Sequence, residues 1–413
     1  MIRKVTISNF KGIRDITLDV PSTLVLFGKN NSGKSTILQA LAIWSEVITA
    51  WLSGTEGGGS REMDLARDAA DEYRLVNLVK TDFRALSLYG LDHLWFSRVV
   101  QEPSCIVVEH TDWSIGLELK FHQNELISVR PTDATSEDDL ETYARSPLRY
   151  TYVAAKTDLP SFESYLDRSG IPLALQRGNA SQLLRNLVYQ VSQQDANWKR
   201  LTSVMLRYCG CELMEPSPSD TISVFYRQDD RSTQYELGSA GDGLLQMLSL
   251  YAATLFTSPA LILIDEPGAH LHPSRQQVVL PDLCEAFPDS QVICATHSPY
   301  VLTTVRPEQI MGVSRDDGEI RLEGVPQNIA SYGAEVGDVL ALIMHVGERP
   351  KGNKFATILA QYSELIAQDQ GETKQATRLR KELNSLSPRD LALDRADIEI
   401  NRRRILKQMR DSQ

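Results

Sequence analysis

Apolar and polar side chains alternate through the first twenty residues, over 1–10 and again over 13–20, on either side of Lys11-Gly12. A period of two predicts an antiparallel strand pair. The next apolar run, Leu24-Val25-Leu26-Phe27, is unbroken, and Ile37-Leu38-Gln39-Ala40-Leu41 beyond it is amphipathic, so a strand, a loop and a helix over 37–52 are expected in that order. Gly54, Gly57, Gly58, Gly59 and Ser60 predict a flexible loop at 54–61. Ser104–Glu109 and Ile115–Lys120 read as further strands, 131–146 as a polar acidic loop, 174–208 as mostly helical, and Thr221–Tyr226 as the start of a short strand pair. A second core follows: helix 241–256, buried strand Leu261–Ile264, helix 273–286 and buried strand Val292–Ala295. Unbroken apolar strands separated by helices imply a parallel sheet covered on both faces. The fold class expected is therefore α/β, with an antiparallel β region beside the parallel sheet.

Between the first buried strand and its helix lies Gly28-Lys29-Asn30-Asn31-Ser32-Gly33-Lys34-Ser35-Thr36, which fits the G-x-x-x-x-G-K-[ST] phosphate loop in its strand–loop–helix setting. Glycines let successive backbone N–H groups turn toward an anion, and the following helix aims its positive end at the same place. Lys34 supplies a point charge to the outer phosphates of a nucleoside triphosphate, and the Ser35 hydroxyl is the expected Mg²⁺ ligand.

Three later fragments carry matching chemistry. Asp265-Glu266 ends the strand Leu261–Ile264, where ligands gather in open α/β sheets. Two carboxylates there need a cation or a substrate to answer them. Asp265 is read as holding Mg²⁺, directly or through water, and Glu266 as the general base for the attacking water. Ser239-Ala240-Gly241-Asp242 opens a helix; its amides and the Ser239 hydroxyl form either a second anion site or only an N-cap. His297, in Thr296-His297-Ser298-Pro299 just beyond a buried strand, is placed to hydrogen-bond a terminal phosphate.

Composition narrows the class. The chain has 413 residues, 42% hydrophobic and 23% charged, the balance of a globular protein with a large core. Its net charge of −11 disfavours a uniformly DNA-coating protein. No apolar run is expected to reach the ~20 residues that span a bilayer, and the N-terminus lacks a signal-peptide pattern, which predicts a cytoplasmic protein. Cys105, Cys209, Cys211, Cys284 and Cys294 are irregularly spaced and read as reduced thiols. Residues 346–413 hold 14 Lys and Arg against 10 Asp and Glu, densest at Asn401-Arg402-Arg403-Arg404, after a break at 347–352. That tail is read as helical, its charge either a solvated face or a docking surface. Two domains are expected: 1–345, with an inserted region at about 52–150, and the extension 346–413.

With these residues assembled, the chain resembles the ABC-type ATPases, in the branch of overcoming-lysogenization-defect, RecF and SMC-like heads. Asn30 in the phosphate loop resembles that branch's G-x-N-x-x-G-K-S pattern. Ser239-Ala240-Gly241-Asp242 resembles its S-G-G-Q signature, with Ala240 and Asp242 departing from it; Asp265-Glu266-Pro267, Leu271-His272-Pro273 and Thr296-His297-Ser298-Pro299 match its later motifs. The resemblance implies an ABC-type head with a helical C-terminal extension, ATP and Mg²⁺ as ligands, and a homodimer or higher homo-oligomer in which each phosphate loop faces the partner's signature serine. No glutamine that senses Mg²⁺ is placed; Gln101 and Gln123 qualify only by region.

The segment around 332–349 and the charged tail resemble stand-alone anti-phage ATPases encoded beside small nucleases, Septu-type (HNH partner) first and PARIS-type (TOPRIM partner) second. The expected function is a regulatory ATPase controlling a separate effector nuclease. Two alternatives remain at this point: a nuclease of the overcoming-lysogenization-defect kind, and a RecF-like repair ATPase acting on DNA. About 70 residues after the head are few for a TOPRIM domain.

Overall fold

The computed structural model describes residues 1–53, 74–78, 89–122, 126–155, 158–175, 180–216, 221–228, 233–346, 353–388 and 390–411. The loop expected at 54–61, the break at 347–352 and Gln123 lie outside them. The chain divides into two compact units, Met1–Val339 and Leu340–Gln413.

In the first unit, β1 (Ile2–Phe10) and β2 (Ile13–Asp19) pair antiparallel, burying Val5, Ile7, Phe10, Ile13 and Leu18 on one face. β3 (Thr23–Phe27) leads into the phosphate loop and helix α1 (Lys34–Ser53). β4 (Arg74–Leu78), β5 (Ser104–His110), β6 (Ser114–His122) and β7 (Leu126–Pro131) complete a six-stranded antiparallel sheet with β1 and β2, in the order β2-β1-β5-β6-β7-β4.

The acidic stretch 131–146 is not all loop, as the sequence reading had it, because it contains helix α2 (Glu137–Arg145). Ser136 accepts from the Asp139 N–H while the Asp139 carboxylate returns to the Ser136 N–H, a capping box that satisfies two donors at the helix start. Three carboxylates in the first turn suit the positive end of the helix dipole.

The chain continues through β8 (Tyr150–Val153), α3 (Ile171–Leu175), α4 (Leu184–Ser192) and α5 (Asp195–Cys209) to a small antiparallel sheet of β9 (Cys211–Leu213), β10 (Phe225–Gln228) and β11 (Tyr235–Glu236). There follow α6 (Asp242–Thr257), β12 (Leu261–Asp265), α7 (Pro273–Ala286), β13 (Gln291–Thr296), α8 (Pro299–Leu302), β14 (Ile310–Asp316), β15 (Glu319–Gly324) and α9 (Val336–Asp338).

The second large sheet runs β15-β14-β3-β13-β12-β8, parallel except for the edge strand β15. Its register sets the site: Asp265 is opposite Ala295, Ala295 opposite Leu26, and Thr296 opposite Phe27, so three strand ends finish in one row. The buried Gln291 side chain at the start of β13 bonds the backbone of Ile2, Val20 and Pro21, tying β13 to the N-terminal strand pair.

Contrary to the expectation that no apolar run is long enough, helix α1 is by length and composition long and apolar enough to cross a membrane. It is a core helix here: Ile37, Leu41, Trp44 and Ile48 are buried against both large sheets.

The second unit packs α10 (Lys354–Ala367), α11 (Lys374–Leu386) and α12 (Leu391–Asp411) around Phe355, Ile358, Tyr362, Leu383 and Leu393. Its densest cationic point is largely answered from within: Arg403 reaches Glu399 and Asp369, both at 2.8 Å, and Arg402 reaches Glu399 at 3.4 Å. Leu391, Ile398 and Ile405, seven residues apart on α12, are exposed.

Candidate functional site

The loop between β3 and α1 is shaped by contacts that admit only glycine at two points. A Cβ on Gly33, whose φ is +108°, would stand 2.1 Å from the Ile320 Cδ1, and one on Gly28 would stand 2.1 Å from the Val313 carbonyl oxygen. Asn31 takes the left-handed region with φ 62°, and Asn30 and Asn31 are exposed on the loop's crest. Thr36 begins the helical ladder, donating its N–H to the Gly33 carbonyl at 3.0 Å.

Lys34 is buried, and its Nζ donates to the carbonyls of Gly28 (3.0 Å) and Lys29 (3.1 Å). Burial lowers the Lys34 pKa, while Glu266 and Asp265 act to raise it. For Asp265, burial raises the carboxyl above its ordinary range; its hydrogen bond with Ser35 works the other way, and Glu266 adds repulsion. The Ser32 hydroxyl is buried in the cradle without a hydrogen-bond partner. An orphaned hydroxyl, a desolvated lysine and a carboxylate in want of a cation form a donor set that fits a metal-bound triphosphate.

Glu266 departs from the strand with φ 55°, a left-handed conformation rare for glutamate, fixed by its N–H to the Ala295 carbonyl at 2.7 Å. Its Oε1 lies 2.7 Å from His297 Nδ1, and its Oε2 accepts from the Thr296 hydroxyl and the His297 N–H, both at 3.2 Å. The His297 ring is 59% exposed, against 15% for the Glu266 side chain, so the imidazole stands between the carboxylate and solvent. The phosphate loop, the acidic pair and the histidine thus share one edge of the parallel sheet.

Ser239 and Gly241 belong to a different cluster. They line a cavity of about 330 Å³ together with Tyr208, Tyr226, His270 and Arg275. Ser239 Oγ donates to the Glu236 carbonyl at 2.7 Å inside a 3₁₀ turn, and Gly241 is the N-cap of α6 without a side-chain cap. Ser239 therefore does not cap the helix.

Several residues at the site carried no sequence signal. Tyr152, at the end of β8, has its hydroxyl pKa pushed well up by burial and by nearby Asp265, and it bonds Gln39. Lys11 Nζ donates to Gln39 Oε1 at 2.7 Å. Gln276 on α7 accepts from Ser298 Oγ at 2.5 Å and donates to the Leu271 carbonyl at 2.8 Å, joining the loop after the acidic pair to the histidine loop. Only contacts across the fold reveal them. Gln101 sits exposed in a turn, and nothing connects it to the site.

Residues 1–87 match the family model "AAA ATPase domain", and 154–303 match "AAA domain, putative AbiEii toxin, Type IV TA system". The chain is 31% identical over 162 residues to the retron Vc95 probable ATPase of Vibrio cholerae, a match covering 39% of this chain and 31% of that protein, so the chain spans about a third of that relative's length. It is 24% identical over 319 residues to the Septu protein PtuA of Bacillus mycoides, covering 73% of this chain and 38% of PtuA. Among solved structures, the SMC head bound to the C-winged helix domain of ScpA superposes with a TM-score of 0.50 at 12% identity, covering 79% of this chain and 98% of that one, a likeness of fold alone. On a fold shared with the SMC head, the chain carries AAA ATPase domains and is homologous to the Septu PtuA and retron ATPases.

Proposed function

We propose that this protein is a cytoplasmic, ATP-hydrolysing regulatory subunit that dimerises through shared ATP sites and controls a separate effector nuclease in anti-phage defence. The observation that carries the reading is the separation of two clusters. Lys34, Asp265, Glu266 and His297 converge on one sheet edge, while Ser239 and Gly241 line another cavity. A second copy offering its own Ser239 and Gly241 completes the first cluster.

In this reading Gly28, Asn30, Asn31, Ser32, Gly33, Lys34, Ser35 and Thr36 wrap the phosphates with backbone N–H groups and one ammonium. Ser35 and Asp265 would hold Mg²⁺, which when bound neutralises charge on the outer phosphates. Glu266 takes the proton of the attacking water, and His297 both orients that carboxylate through Nδ1 and hydrogen-bonds the terminal phosphate. The effector is proposed as a small HNH or TOPRIM nuclease because the segment around 332–349 and the charged tail resemble ATPases encoded beside such nucleases. Docking of that nuclease on 346–413 belongs to the same proposal.

The test is subunit mixing. Lys34→Ala and Ser239→Arg chains are each expected to be inactive. Mixed, each heterodimer pairs both lesions in one site and leaves the other intact, so an equal mixture recovers about a quarter of wild-type turnover. No recovery on mixing, with heterodimers demonstrated by differential tags, sinks the composite site.

A further inference from the structure

Arg185, at the start of α4, is 2% exposed, and each of its three guanidinium nitrogens has a hydrogen-bond partner. Nε reaches Glu236 Oε1 at 2.8 Å, Nη2 reaches Glu236 Oε2 at 3.2 Å, and Nη1 donates to the Pro160 carbonyl at 2.8 Å. The guanidinium itself is anchored. Buried Glu163 accepts from the N–H groups of Arg185 (2.9 Å) and Asn186 (3.0 Å) and from the Asn186 side chain (2.9 Å), which fastens α4 to the segment 160–166.

Glu236 passes this order on. Its Oε2 accepts from the Gly238 N–H at 2.6 Å, and its carbonyl accepts from Ser239 Oγ at 2.7 Å. Burial alone raises the Glu236 carboxyl; the Arg185 fork and the Gly238 N–H outweigh it and hold the group below its ordinary range. A Cβ on Gly238 would stand 2.8 Å from Glu236 Oε2, so the turn closes tightly on the carboxylate.

We propose that Arg185 and Glu236 are positioning residues for Ser239: the buried fork fixes the turn through which one subunit presents this serine to the triphosphate held by another. The proposal rests on the composite-site reading above. An ion pair between buried Arg185 and a Glu236 side chain that is 36% exposed is a poor source of net stability, whereas its bidentate geometry fixes direction. Here the direction fixed is that of the Ser239 turn.

The experiment is a double-mutant cycle on steady-state ATPase activity in the full chain, with Glu236→Gln, Ser239→Ala and the pair. Glu236→Gln keeps shape and removes the charge that orients the fork. Its kcat is expected to fall about tenfold, with KM and binding of a fluorescent ATP analogue unchanged. In the Ser239→Ala background the same change is expected to cost nothing further. Arg185→Lys, which keeps charge but not the fork, repeats the cycle should Glu236→Gln fold poorly, with melting temperature as the check. Multiplicative losses in the double variant, or unaltered kcat in Glu236→Gln, overturn the positioning role and leave the composite site standing. Normal turnover in Ser239→Ala overturns the composite site and this proposal with it.

Discussion

Glu266 and Asp265 are neighbours in the chain with opposite environments. Glu266 accepts from the Thr296 hydroxyl and the His297 N–H, and its other oxygen lies 2.7 Å from His297 Nδ1, so the carboxylate is turned toward the histidine loop. Glu266→Gln is expected to bind ATP normally and hydrolyse it ~10²–10⁴-fold more slowly, as loss of a general base does, measured by single-turnover release of phosphate. Asp265 is a carboxylate held against its own interest. Its pKa is raised in the fold, by burial first and by Glu266 as well, so the ionised form at neutral pH opposes folding and stability from this group grows as pH falls through the raised value. Asp265→Asn is therefore expected to raise the melting temperature of the nucleotide-free protein by a few degrees while abolishing Mg²⁺-dependent turnover, a trade of activity against stability that calorimetry reads directly. Both carboxylates were legible as a pair because a buried strand ending in two charges is a local pattern. Tyr152, Gln39 and Gln276 were not, since each reaches the site from a segment with no motif of its own.

At the scale of elements, apolar runs foretold β3, β12 and β13, because a parallel strand buried on both faces leaves an unbroken signature. Helix α2 shows the opposite case. Acidic density over 131–146 suggested loop, yet Ser136 and Asp139 stand at the three-residue spacing of a capping box, and that spacing was the better guide. Ser136→Ala is expected to loosen this helix by ~1 kcal/mol, seen as roughly fivefold faster amide exchange over 137–145 with the rest of the protein unaffected. The strand β8 has a weaker signal of its own: its four residues, Tyr150–Val153, pair only with β12.

For the molecule as a whole, each unit has its own hydrophobic core, one drawn from residues between Ile2 and Ile320 and the other from residues between Phe355 and Leu393. Two separate cores predict two independently folding pieces. A chain ending after Val339 is expected to bind a fluorescent ATP analogue as the full chain does, and residues 340–413 alone to be helical by circular dichroism; loss of nucleotide binding on truncation would contradict the division. At the tail's densest cationic point, Arg402 and Arg403 are answered by Glu399 and Asp369 within the unit, which only the fold discloses.

The contact of Ile320 with Gly33 has a consequence on the timescale of evolution. Because the isoleucine δ-methyl fills the volume that any side chain at 33 would require, neither position drifts freely, although one lies in the phosphate cradle and the other on an edge strand. With position 33 held to glycine by its φ of +108°, the constraint falls on residue 320 alone: a bulkier side chain there would press on the phosphate cradle, so an edge-strand position inherits a limit from the nucleotide pocket.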